Sequence, residues 1–152
     1  QNHVLMSQDD ICRRIKELLV HVEVSAASHP PSPIIVLTGG EPSLQLTAEL
    51  VDALHAVLPF VAVETNGTRA LPDNIDWVTC SPKENTALKL SHIDEIKVVY
   101  VGQDVEKYMS YEARYRYLQP CSMLNTGEVV RYVLAHPWWT LSLQTHKYIG
   151  IP

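Results

Sequence analysis

Ile34-Ile35-Val36-Leu37-Thr38-Gly39-Gly40-Glu41-Pro42 decides how this chain is read. Four consecutive apolar side chains have the composition of a strand covered on both faces. The run stops abruptly in Thr-Gly-Gly. Two adjacent glycines permit positive φ and leave the backbone bare, so a ligand can come close to main-chain atoms. Glu41 then supplies a carboxylate, and Pro42 stiffens the exit into the next element. An ordinary turn asks for one glycine and no carboxylate. The stretch predicts a ligand site at the carboxyl end of a strand.

Shorter runs of the same kind follow. Val61-Ala62-Val63 is closed by Glu64-Thr65-Asn66-Gly67, and Trp77–Cys80 by Ser81-Pro82-Lys83. Glu95–Tyr100 reads as a strand. Tyr115–Leu118 is closed by Gln119-Pro120-Cys121-Ser122, and Thr140–Leu143 by Gln144-Thr145-His146-Lys147. Between them lie helical stripes. Ser7 caps the first, with Asp9 and Asp10 in its opening turn and Ile11, Ile15, Leu18, Leu19 and Val22 on one face. Ser28–Pro33 breaks it. Leu46, Leu50, Leu54, Val57 and Leu58 mark a second helix, ended by Pro59, and residues 125 to 135 a third. Helix–strand alternation with short buried strands predicts an α/β fold on a mostly parallel sheet. Ligands of such folds sit at the carboxyl ends of the strands. The polar clusters are therefore expected to converge there. Taken singly, Glu64–Gly67 and Ser81–Lys83 also read as plain turns, and His146 as a surface histidine. Trp138-Trp139 are expected to cover the base of the core. Tyr108, Tyr111, Tyr115 and Tyr117 are expected to pack or edge the surface rather than stack a cofactor.

Composition narrows the function. The 152 residues are 46% hydrophobic and 19% charged, which suits one globular domain. The net charge of −5 argues against the basic surface that nucleic acid requires. No apolar run approaches a membrane span. The three cysteines, Cys12, Cys80 and Cys121, have no CxxC-like spacing, so neither a disulfide framework nor a metal site is expected in this chain.

Taken together, the motifs resemble a known family. Gly39-Gly40-Glu41-Pro42 is similar to the glycine-glycine-glutamate-proline motif of radical S-adenosylmethionine (SAM) enzymes. Glu64–Thr68, Ser81–Lys83, Asp94-Glu95-Ile96-Lys97, Leu118-Gln119-Pro120 and Leu143–Tyr148, in that order, resemble the 7-carboxy-7-deazaguanine synthases. The likeness runs from about Ile34 to Pro152. It implies a partial, open (β/α) barrel of about six strands, and a cytoplasmic homodimeric lyase acting on a small pterin, without membrane or nucleic-acid partners. The reaction implied is ring contraction of 6-carboxy-5,6,7,8-tetrahydropterin in queuosine biosynthesis, a tRNA modification pathway. It uses SAM, a [4Fe-4S] cluster and Mg²⁺. The resemblance places SAM on Gly39, Gly40, Glu41, Ser81, Pro82, Lys83, Gln119, Pro120, Cys121 and Ser122. It places the substrate on Thr38, Gln144, His146 and Pro152, with Glu64 and Asn66 as further candidates. It names no catalytic residue. The family's three-cysteine cluster motif has no counterpart before Ile34, nor does the magnesium-binding threonine beside it. Residues 1 to 152 are thus expected to be one domain, the carboxy-terminal part of a longer core, inert on its own. The alternatives are an activating enzyme for glycyl-radical proteins, which shares Gly39–Pro42, and a non-catalytic binding module.

Overall fold

The computed structural model describes residues 5–25 and 32–151. Most of the Ser28–Pro33 break lies outside them, as does Pro152. The elements are α1 (Gln8–Ser25), β1 (Ile35–Leu37), α2 (Ala48–His55), β2 (Val61–Thr65), β3 (Trp77–Cys80), β4 (Glu95–Tyr100), β5 (Tyr115–Pro120), α3 (Thr126–Ala135), β6 (Thr140–Leu141) and α4 (Thr145–Tyr148). The six strands form one sheet in sequence order. Every neighbouring pair is parallel. The sheet does not close, so the open α/β barrel expected from the sequence is the fold.

Alternation gives the sheet two unlike faces. Val61, Val63, Thr65, Val78, Cys80, Ile96, Val98, Tyr100 and Leu118 are buried on one. Around Ile35, Val61, Val51 and Leu54 this face meets α2, together with Ile11, Cys12 and Ile15 of α1. Around Ile96, Val98 and Leu118 it meets Val129 of α3 and Trp139. The other face mixes charged and polar side chains with Val36, Ala62, Val99 and the rings of Trp77, Tyr115 and Tyr117. Register aligns Glu64 with Thr79, Thr79 with Glu95, and Glu95 with Tyr115.

Some boundaries differ from the sequence reading. The first strand starts at Ile35, and Ile34 before it is exposed. In α1 Leu18 faces solvent, and Cys12 packs inward instead, its thiol 3.6 Å from the Ala53 carbonyl. The helix α2 ends at His55, so Val57 and Leu58 lie beyond it. The last strand stops at Leu141, and Thr145–Tyr148 coils into a single turn. Trp139 is 1% exposed in the core, whereas Trp138 is 47% exposed and reaches Glu106 through Nε1 at 3.2 Å.

Two aspartates start the central strands. Asp76, just before β3, accepts the Val61 N–H at 2.7 Å and contacts His55 Nε2 at 2.7 Å. Asp94, just before β4, accepts the Val78 N–H at 2.8 Å. Each carboxylate satisfies an N–H on the neighbouring strand. The Val61 N–H and then His55 hold the Asp76 carboxyl below its ordinary value against a small opposing effect of burial. A depressed carboxyl stabilises the fold above its ordinary titration range, and that contribution is lost as pH falls through the folded-state value. Asp76→Asn is therefore expected to be less stable than the unsubstituted protein at neutral pH, the gap narrowing on acidification. Urea unfolding at a series of pH values measures it; a gap independent of pH contradicts the role.

Candidate functional site

The carboxyl ends of β1, β2 and β3 meet around a cavity of about 170 Å³. Thr38, Gly39, Gly40 and Glu41 line it from β1, Glu64 and Asn66 from β2, and Ser81 and Lys83 from β3. Eight residues expected at a site from the sequence thus share one wall. Thr65 also lines it, and sequence reasoning did not single it out. On its other side, the Thr38–Glu41 segment borders a hollow of about 530 Å³ with Leu37, Leu44, Leu46 and Leu50.

Gly39 and Gly40 have φ of +83° and +57°. A Cβ added at either would meet no atom of the described residues within 4 Å. Their backbone therefore faces open space, which is what close approach of a ligand requires. Gly67 has a different reason to be glycine. Its φ is +76°, and a Cβ there would lie 2.8 Å from Cys80 Sγ.

Glu41 fixes this geometry. Its carboxylate accepts the Ser43 hydroxyl at 2.7 Å and the Ser43 N–H at 3.2 Å, capping the short helical turn Pro42–Leu44. It also accepts the Thr65 hydroxyl at 2.5 Å and the Asn66 N–H at 2.8 Å. Partial burial pushes its pKa up, but the donors on Thr65, Asn66 and Ser43 outweigh that and hold the carboxyl below its ordinary value. Glu41 borders the cavity, yet its oxygens are engaged by protein donors. Thr65 is 2% exposed and accepts the Gly67 N–H at 3.1 Å. Asn66 accepts both the N–H and hydroxyl of Thr68, at 2.9 and 2.7 Å. Its side chain builds the turn, while its backbone meets Glu41.

Ser81 donates its hydroxyl to the Lys97 carbonyl at 3.1 Å. Lys97 Nζ lies 3.1 Å from Glu64 Oε1. Burial, opposed by Lys97 and reinforced by Glu64, pushes the Glu95 carboxyl up. Trp77, whose Nε1 donates to Thr79 Oγ1 at 3.1 Å, packs 5.8 Å from the Tyr115 ring, and Tyr115 lies 6.5 Å from Tyr117.

The remaining candidates sit along the same sheet edge but do not line this cavity. Gln119 and Pro120 end β5. Ser122 has φ of +47° and Met123 of +68° in the following turn. Asn125 pins that turn, accepting the Cys121 N–H and donating to the Tyr100 carbonyl, both at 2.8 Å. Gln144 precedes α4 and His146 lies within it, exposed. Thr126 Oγ1 and Tyr148 Oη, 2.7 Å apart, tie α4 to the start of α3. Pro82 does not line the cavity, and Pro152 lies outside the described residues. The described cysteines are dispersed: Cys12 against α2, Cys80 at the end of β3 on the buried face, Cys121 after β5. No described group of three or more His, Cys, Asp or Glu side chains could hold a metal ion. No described helix is long and apolar enough to cross a membrane.

Comparison with known proteins connects this site to chemistry. No family model matches the chain. A 7-carboxy-7-deazaguanine synthase of Bacteroides thetaiotaomicron is 51% identical over 128 residues, covering 84% of this chain and 70% of the relative. One of Nitratidesulfovibrio vulgaris is 50% identical over 129 residues, covering 79% of this chain and 60% of the relative. The crystal structure of QueE from Escherichia coli superposes with a TM-score of 0.62 at 27% identity, over 91% of this chain and 64% of that one. The chain thus spans roughly two thirds of the length of these relatives.

Replacing Glu41 by glutamine keeps its shape but removes its charge and turns one acceptor oxygen into a donor. Hydrogen bonds to charged groups contribute about 1.5–3 kcal/mol each, and an unmatched partner costs a similar amount. Glu41→Gln is expected to destabilise the protein by about 2 kcal/mol, within that range. Denaturant unfolding checks it. Unchanged stability would show that the carboxylate does not hold the loop.

Proposed function

The chain belongs to the 7-carboxy-7-deazaguanine synthase family, and from that premise we propose that the whole protein contracts the ring of 6-carboxy-5,6,7,8-tetrahydropterin, with loss of ammonia, to give 7-carboxy-7-deazaguanine. The observation carrying this reading is the shared cavity of Thr38–Glu41, Glu64, Asn66, Ser81 and Lys83. It brings together three motifs whose nearest ends are 23 and 15 positions apart in the sequence.

SAM fits the residues present. The open backbone at Gly39 and Gly40 offers main-chain groups to a polar ligand without steric opposition. The Ser81 side chain and the Lys83 ammonium line the same wall, and Gln119–Ser122 continue the edge. These residues would hold SAM, which supplies the radical chemistry when bound. Thr38 offers a hydroxyl to the pterin, and Glu64 an acceptor for its ring and amino N–H groups. Glu41, by tying the end of β1 to the start of the turn after β2, keeps those groups at fixed separation. Gln144 and His146 are assigned to the substrate on the strength of the family alone.

The described residues do not fit a [4Fe-4S] cluster, since such clusters are held by grouped thiolates and these thiols lie on separate elements. Cys80 in particular is buried, and desolvation pushes its thiol up to about 12. The proposed activity therefore relies on cluster and Mg²⁺ ligands outside the described residues. A homodimer and a cytoplasmic location belong to the same reading and rest on the family.

The test is turnover by the full-length protein, reconstituted anaerobically with iron and sulfide and given SAM, Mg²⁺ and a reductant. Formation of 7-carboxy-7-deazaguanine is expected. A protein that carries cluster and SAM yet leaves the tetrahydropterin unchanged overturns the reading. Gly40→Val probes the SAM side. Valine in a left-handed conformation costs about 1–2 kcal/mol, and its side chain would project into the open space. SAM binding, followed by calorimetry, is expected to be lost while the fold persists. Unchanged affinity would reduce the glycine pair to a turn.

A further inference from the structure

Lys97 does not line the cavity, yet it holds two residues that do. Its ammonium pairs with Glu64 at 3.1 Å, and its carbonyl accepts the Ser81 hydroxyl at 3.1 Å. Glu64 lies on β2 and Lys97 on β4, with β3 between them. Adjacent strands are about 4.8 Å apart, so the pair bridges roughly twice that distance. A long side chain with a compact terminal charge can make that reach, passing over β3 on the same face of the sheet. The lysine side chain is 19% exposed, and the glutamate, at 42%, is the more accessible partner. The lysine is thus packed in place while the carboxylate it anchors stays reachable by a ligand. Glu95 occupies the same face two residues earlier on β4. Burial pushes its carboxyl up, with Lys97 opposing and Glu64 adding to the shift, and the lysine's ion pair is with Glu64.

We propose that Lys97 is a positioning residue that holds the Glu64 carboxylate at the cavity wall for the pterin. This rests on the function proposed above and extends it to a residue outside the cavity. Nothing in the reading of single motifs isolates Lys97, because it acts through side chains on two other strands.

The experiment is a double-substitution cycle in the reconstituted full-length protein, read by pterin affinity in calorimetry without SAM and by kcat/KM for the pterin. Lys97→Met keeps the stem and removes the charge. It is expected to weaken pterin binding and kcat/KM on the order of tenfold to a hundredfold, the range of a charged hydrogen bond, with SAM affinity unchanged. Lys97→Arg keeps a cation and is expected to recover most of the loss. In a Glu64→Gln background, Lys97→Met is expected to add little, because its partner's charge is already gone. A purely structural lysine would give the same loss in both backgrounds and would not be rescued by charge. Equal losses, or no effect of Lys97→Met in the unsubstituted background, overturn the inference while leaving the function intact. Failure of the unsubstituted protein to bind the pterin overturns both.

Discussion

Glu41 is the constraint on which the rest of the site depends. A parallel sheet leaves its strand ends as independent loops, each free to fray. Here one carboxylate takes donors from its own loop, Ser43, and from the neighbouring one, Thr65 and Asn66. Two strand ends become one rigid rim. Beside it, the Gly39–Gly40 backbone turns at positive φ with no described atom within 4 Å of where a Cβ would stand. Rigidity and access, which usually oppose each other, are assigned to adjacent residues.

The second organising feature is the division of labour between the faces of the sheet. One face spends its side chains on burial against α1, α2 and α3. The other carries Glu64, Thr79, Glu95, Lys97 and an aromatic row from Trp77 through Tyr115 to Tyr117. Lys97 pairs with Glu64 across β3 on this face, and its charge also opposes the burial that pushes the Glu95 carboxyl up. Asp76 and Asp94 perform the corresponding task at the amino ends of the strands, where they close unpaired N–H groups rather than expose functional ones.

Much of the cavity's lining was legible because strand ends in a parallel sheet must converge, and Thr38–Glu41, Glu64, Asn66, Ser81 and Lys83 announce themselves by composition. The strands Trp77–Cys80 and Glu95–Tyr100 agree with the sequence reading residue for residue. What stayed hidden depends on register. Thr65 reads as one more turn residue until the sheet puts its hydroxyl 24 positions back in the sequence, on Glu41. Lys97 enters the sequence reading only as part of the Asp94–Lys97 motif, and its pairing with Glu64 shows only once β3 is placed between them. Leu18 and Cys12 exchange roles because the packing angle of α1 against α2 is invisible to periodicity. The turn at Thr145–Tyr148 is tied to α3 by the Thr126–Tyr148 hydroxyl pair, which local propensity does not reveal.

Hydrogen–deuterium exchange of the reconstituted full-length protein, with and without SAM, tests the central claim most directly. Protection is expected in peptides covering Thr38–Glu41, Ser81–Lys83 and Gln119–Ser122. None is expected at the groove formed by Ser91–Asp94 and Glu112–Arg114 at the opposite ends of the strands. Protection confined to that groove, or absent from Thr38–Glu41, would contradict a ligand site built on the carboxyl ends of this sheet.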